Sequence, residues 1–121
     1  MDNKLKTENL ELEKLVEKTR EVAREFEKKG QGYGKQERFM DLVEEVGELA
    51  QAMLIVDGAK VTNDPAKTRT KKHIADALSD ILFDLVLLAD NYEIDLFGDY
   101  ERMLEELKGR LESGEFGKGK K

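Results

Sequence analysis

Between residues 41 and 54 the chain reads "DLVEEVGELAQAML", and its apolar and polar positions separate cleanly at 100° per residue. Leu42, Val43, Val46, Leu49, Ala50 and Met53 gather on one side, while Asp41, Glu44, Glu45 and Glu48 fit within an arc of about 100° on the other. The same helical period marks three further segments. One covers residues 5–29, with Leu12, Leu15, Val16, Thr19, Val22, Ala23 and Phe26 at core spacing. "GQGYG" (30–34) ends it, because three glycines in five residues do not propagate a helix cheaply. The acidic segment belongs to a second helix over residues 36–56. A polar loop, "DGAKVTNDPAKTRT" (57–70), precedes a third helix over 71–92, and a fourth follows over 98–112. The tail from about residue 113, "SGEFGKGKK", is expected to be frayed or disordered.

The third segment departs from ordinary amphipathicity. Across residues 74–89, twelve of sixteen positions are apolar and they run almost all the way round, which predicts a helix buried among others. Its polar exceptions are Ser79 and three aspartates, Asp76, Asp80 and Asp84, stacked at i, i+4 and i+8. A carboxylate on a buried helix is costly unless something pairs with it.

Four periodic segments without a repeat predict a single all-α domain, an antiparallel bundle of about four helices over residues 1–121. A chain this short leaves the third helix short of neighbours, so the bundle is expected to be completed by oligomerisation. Composition narrows the chemistry. Charged residues make up 40% of the chain, proline occurs once, and the net charge of −6 argues against a nucleic-acid polymer as partner. With no cysteine, disulfides, thiolate metal sites and cysteine nucleophiles are excluded. No apolar run reaches membrane-spanning length and "MDNKLKTENLELEK" has no apolar signal core, so a cytoplasmic protein without a membrane partner is expected. Glycines 30, 32 and 34 are not followed by Gly-Lys-Ser/Thr, which rules out a P-loop.

The acidic residues carry the chemical question. Like charges this close repel, and soluble helices usually intersperse lysine; here there is none. Glu45 and Glu48 would project side by side from the second helix, with Asp80 opposite on the third. Such a cluster raises carboxyl pKa values unless a cation relieves it. Hard divalent cations prefer oxygen ligands, and Mg²⁺ typically joins a few carboxylates to substrate phosphates. The residue pattern alone also allows a plainer reading, a solvated acidic face on one helix and salt-bridged aspartates on the other.

"EEVGELAQAM" resembles the Glu-Glu-x-x-Glu motif of the MazG-like, all-α nucleoside triphosphate pyrophosphohydrolases, and "ADALSDILFDLVLLADNYEIDL" resembles that family's second block. The resemblance spans residues 36–100. It implies cleavage of a nucleoside triphosphate to monophosphate and pyrophosphate, with Mg²⁺ (Mn²⁺ as a possible substitute) held by carboxylates, in a homodimer or homotetramer. Position by position, Glu45 and Glu48 match the metal-linked glutamates, Glu44 the leading one, and Asp80 the aspartate of the second block. The family's second-block glutamate falls at Ala77, so Asp76 or Asp84 is expected to supply the missing carboxylate, Asp76 being nearer in sequence. Glu44, if not engaged by metal, would take the proton of the attacking water. A substrate specialised to one nucleotide, such as a deoxyuridine or phosphoribosyl nucleotide, is a variant of this reading. The alternative from another class is a non-catalytic helical dimerisation module that binds a cation or a basic partner in a degenerate site.

Lys60, Lys67, Arg69, Lys71 and Lys72 crowd the polar loop and the start of the third helix, where together they could screen substrate phosphates. His73, the only histidine, reads as a helix-start residue rather than a catalyst. Phe26, Tyr33 and Phe39 read as core or turn residues.

Overall fold

A computed structural model describes residues 8–117, and the side chains of residues 11–117. Among the described residues the fold is all-α, with four helices and no strand: α1 (Glu8–Lys28), α2 (Lys35–Val56), α3 (Lys71–Asn91) and α4 (Leu96–Glu112), plus one 3₁₀ turn (Pro65–Lys67). The expected first turn of α1, from residue 5, lies outside the described residues. The chain divides into two compact units, one ending at Leu88 and the other beginning at Ala89.

In the first unit each helix boundary has a local cause. After α1 the chain turns at Gly30, whose φ of 74° a side chain would resist. The Glu37 side chain then reaches back to accept the Gly34 N–H at 2.8 Å and starts α2. Asp57 and left-handed Gly58 end α2, with Gly58 N–H donating to the Ile55 carbonyl and Lys60 N–H to that of Leu54. Asp64 accepts the Ala66 N–H at 3.0 Å and, with Pro65, builds the short turn within the loop.

The pairing of α2 with α3 is antiparallel, and their cross-contacts show it. Arg38, early in α2, meets Asp84, late in α3. Further along α2, Glu45 meets Asp80. Beyond that, Gln51 and Ala52 share a cleft with His73, Asp76 and Ala77. Positions advance on one helix as they retreat on the other.

The face that α2 turns inward is only partly its apolar one, because Asp41 and Glu45 are covered together with Leu42 and Leu49. Arg38, Asp41, Leu42, Glu45, Leu49, Gln51, Ala52 and Ile55 are the covered positions, whereas Phe39, Met40, Val43, Val46, Met53 and Leu54 are exposed, Met40 at 69% and Val43 at 55%. Within the single chain, α3 is covered only in part. Ala77, Asp84, Val86, Leu87 and Ala89 are buried, but Leu78, Leu82 and Leu85 face solvent. A single chain has too few helices to cover both sides of α3, so one apolar side stays open.

In the second unit, the chain leaves α3 through Glu93, which takes the positive φ (55°) more usual for glycine while Ile94 N–H closes onto the Ala89 carbonyl. Helix α4 starts at Leu96, earlier than the expected residue 98, because Asp95 caps it by accepting the Gly98 N–H at 3.2 Å. Gly98 suits this first turn, since a Cβ there would run into the Asp95 carboxylate. Of the tail expected to be frayed or disordered, residues 113–117 form hydrogen-bonded turns beside an Arg110–Glu115 ion pair and an Arg110–Phe116 ring contact at 4.7 Å. Residues 118–121 lie outside the described residues. No helix among the described residues is long and apolar enough to cross a membrane.

Candidate active site between α2 and α3

Acids of α2 and the first two aspartates of the α3 ladder, Asp76 and Asp80, line a common cleft of about 650 Å³. Glu44, Glu45, Glu48 and Gln51 line it from α2, Asp76, Ala77 and Asp80 from α3, and Ala66, Arg69 and His73 from the loop and the start of α3. Ala52 and Ala77 are both buried and small, which lets the two helices approach without filling the space between the acids. Helical spacing explains the selection. Glu45, Glu48 and Ala52 lie within an arc of about 60° on α2, and Asp76, Ala77 and Asp80 within about 100° on α3.

The cleft is electrostatically strained. Glu45 holds its proton up to about pH 7, first because burial penalises its charge, then because Glu48, Asp80 and Asp41 repel it. A hydrogen bond with Asp80 favours the protonated form further. Asp76 is engaged from outside by Lys72, whose Nζ donates to both carboxylate oxygens at 3.2 and 3.1 Å. Among the described residues no three His, Asp or Glu side chains converge on a single point as a metal ligand set. The acids share a cleft, not a coordination sphere.

Asp84, one turn beyond Asp80, belongs elsewhere. It is fully buried, and Arg38 Nη1 donates to its Oδ1 at 3.1 Å. The Arg38 guanidinium in turn lies over the Tyr33 ring at 4.9 Å and the Phe83 ring at 5.4 Å. Burial and the nearby Asp41 carboxyl raise Asp84 to about 6, against the pull of Arg38. Its Oδ2 has no hydrogen-bond donor among the described residues. The 40° offset and one-turn rise that separate Asp84 from Asp80 carry it out of the cleft and against this guanidinium.

The basic residues of the loop are sorted likewise. Arg69 stands on the cleft wall, with Nη1 donating to the carbonyls of Thr68 (3.1 Å) and Ala66 (3.4 Å). Lys60 reaches the rim through Gln51, donating to its Oε1 at 3.3 Å, and Lys72 is tied to Asp76. Lys67 and Lys71 do not line the cleft. Sequence reasoning left His73 as a helix-start residue, and it is one, since its Nδ1 accepts the Thr70 N–H at 3.0 Å. It also lines the cleft. The Arg38–Asp84 pair was missed, although a signal existed: a buried aspartate needs a cation, and α2 carries only Lys35 and Arg38.

No family model, curated protein or solved structure matches the chain.

Proposed function

We propose that the protein is a Mg²⁺-dependent nucleoside triphosphate pyrophosphohydrolase of the MazG-like type. The observation that carries the reading is the joining of two acidic sequence blocks in one cleft, where Glu45 is kept protonated to about pH 7 by burial and by Glu48 and Asp80. Oxygen donors on two facing helices, with charge left uncompensated, suit a hard divalent cation. Glu45, Glu48 and Asp80 would hold it by converging on the ion, with Asp76, once released by Lys72, as the additional ligand in preference to Asp84, which does not line the cleft. When bound, the cation supplies charge neutralisation at the phosphate oxygens and a lower pKa for a water.

The remaining chemistry falls to side chains. Glu44 lines the cleft and accepts a proton from the attacking water. The water oxygen bonds to the α-phosphorus and the bond to the β-phosphate oxygen breaks, so monophosphate and pyrophosphate leave without a covalent enzyme intermediate. Exposed Phe39, Met40, Val43 and Val46 on α2, with Leu78, Leu82 and Leu85 on α3, support a homo-oligomer in which these faces are covered.

One observation favours a second reading, a non-catalytic acidic module: Ala77 stands buried in the cleft where the resemblance expects a carboxylate. The two readings separate on a panel of nucleoside triphosphates assayed with Mg²⁺. Pyrophosphate release that a chelator abolishes supports the enzyme. Absence of release across the panel supports the module.

A further inference from the structure

The cleft has two chemically different ends. The acids Glu45, Glu48 and Asp80 form one, with Asp76 between them and the start of α3. At the other stand Arg69 and His73, and His73 lies seven residues before Asp80, about 10 Å along the α3 axis. The hydrogen bond from Thr70 fixes what His73 offers. A backbone N–H donates only to an unprotonated ring nitrogen, so Nδ1 is the acceptor and the ring proton sits on Nε2. The Thr70 hydroxyl, 3.2 Å from the same Nδ1, holds the ring from the same side. The imidazole is therefore anchored in one orientation, with its single N–H on the edge turned from the anchor. Arg69 is held comparably by the carbonyls of Ala66 and Thr68, which use one terminal nitrogen and leave the rest of its donor fork free for an anion.

We infer that the His73 Nε2–H and the Arg69 guanidinium bind the β- and γ-phosphates, and hence the departing pyrophosphate. This rests on the pyrophosphohydrolase reading and adds to it the polarity of the bound substrate. The α-phosphate lies toward the acids, and the terminal phosphates toward the start of α3. As the bond to the β-phosphate oxygen breaks, its electron pair stays on that oxygen, and these two donors stabilise the charge. His73 binds the leaving group.

Two amides separate this role from simple anchoring of the helix start. In His73→Asn the short side chain places an oxygen near the position of Nδ1, able to accept from Thr70, but offers nothing where Nε2 stood. In His73→Gln the amide nitrogen reaches the Nε2 position. Calorimetric titration with Mg²⁺-pyrophosphate should show binding weakened about tenfold in His73→Asn and in Arg69→Met, and within about threefold of wild type in His73→Gln. The melting temperature of Arg69→Met should change little, since the hydrogen bonds it loses run to two carbonyls of an exposed loop, which keeps the test valid if His73→Asn folds poorly. Wild-type affinity in both His73→Asn and Arg69→Met overturns the inference and leaves the pyrophosphohydrolase reading standing. A wild-type protein that neither binds Mg²⁺-pyrophosphate nor releases it from nucleotides overturns that reading, and the inference with it.

Discussion

Replacing Arg38 by methionine keeps an unbranched stem and removes the guanidinium from Asp84. Asp84 is 0% exposed and Arg38 only 12%, so water does not take the place of the lost partner. Oδ1 loses its 3.1 Å bond, and Oδ2 had no fixed donor to begin with. Breaking a buried pair from one side costs about 3–5 kcal/mol. Loss of the cation from between Tyr33 and Phe83 adds about 0.5–1 kcal/mol. The carboxyl has one escape, protonation, toward which burial and Asp41 already push it. Near pH 4 Asp84 is neutral in the fold, no buried charge is orphaned, and the cost of Arg38→Met should shrink to the stacking and packing loss, about 1 kcal/mol. Urea unfolding followed by circular dichroism, at fixed protein concentration near pH 4 and near pH 7.5, measures both values. Adding Asp84→Leu to Arg38→Met should recover most of the neutral-pH loss, because it removes the orphaned charge. A loss below about 1 kcal/mol near pH 7.5, or an equal loss at both pH values, refutes the reasoning.

Other consequences follow from the same geometry. Glu45 and Asp84 bind protons more tightly in the fold than in the unfolded chain, so stability without divalent cation should be highest below their ordinary pKa values and fall as pH rises through about 6 and 7. A melting temperature that climbs between pH 5 and pH 8 contradicts this. Under the proposed function, millimolar Mg²⁺ should raise the melting temperature near pH 8, measured against a monovalent salt of equal ionic strength; no shift would remove the cation site. Asp76→Asn should lower Mg²⁺-dependent turnover about tenfold or more, whereas Asp84→Asn should act mainly on stability, and the opposite ranking would reassign the fourth ligand. Light scattering at micromolar concentration should give at least twice the 13.8 kDa chain mass, and a monomer would leave the exposed apolar faces of α2 and α3 unexplained.

Much of this architecture is legible from residue periodicity because the helices are locally determined. The polar loop begins at Asp57 and ends at Thr70 as its composition implies, since Gly58 and the Asp64-Pro65 pair punctuate it. What periodicity did not convey is which side of α2 faces its neighbour. A hydrophobic stripe ordinarily points to the core, and here Asp41 and Glu45 are covered together with Leu42 and Leu49 while Val43 and Val46 look outward. The i, i+4, i+8 ladder of Asp76, Asp80 and Asp84 likewise looked like one feature. Each step of four residues turns 40°, and over two steps that was enough to divide the ladder between the cleft and Arg38. The partners themselves are 46 residues apart in sequence, a separation that no local pattern encodes.

The proposal that this cleft performs phosphoanhydride hydrolysis meets its most direct test in a single comparison of wild type with Glu48→Gln. Nucleoside triphosphate is incubated with Mg²⁺ in ¹⁸O-labelled water, and products are resolved by mass. The account predicts that wild type yields unlabelled pyrophosphate and a monophosphate carrying the label. It predicts that Glu48→Gln, folded and no less stable because a repulsive charge is gone, is slower by about 10²-fold or more. Orthophosphate as the product, label in the pyrophosphate, or undiminished turnover in Glu48→Gln would contradict it.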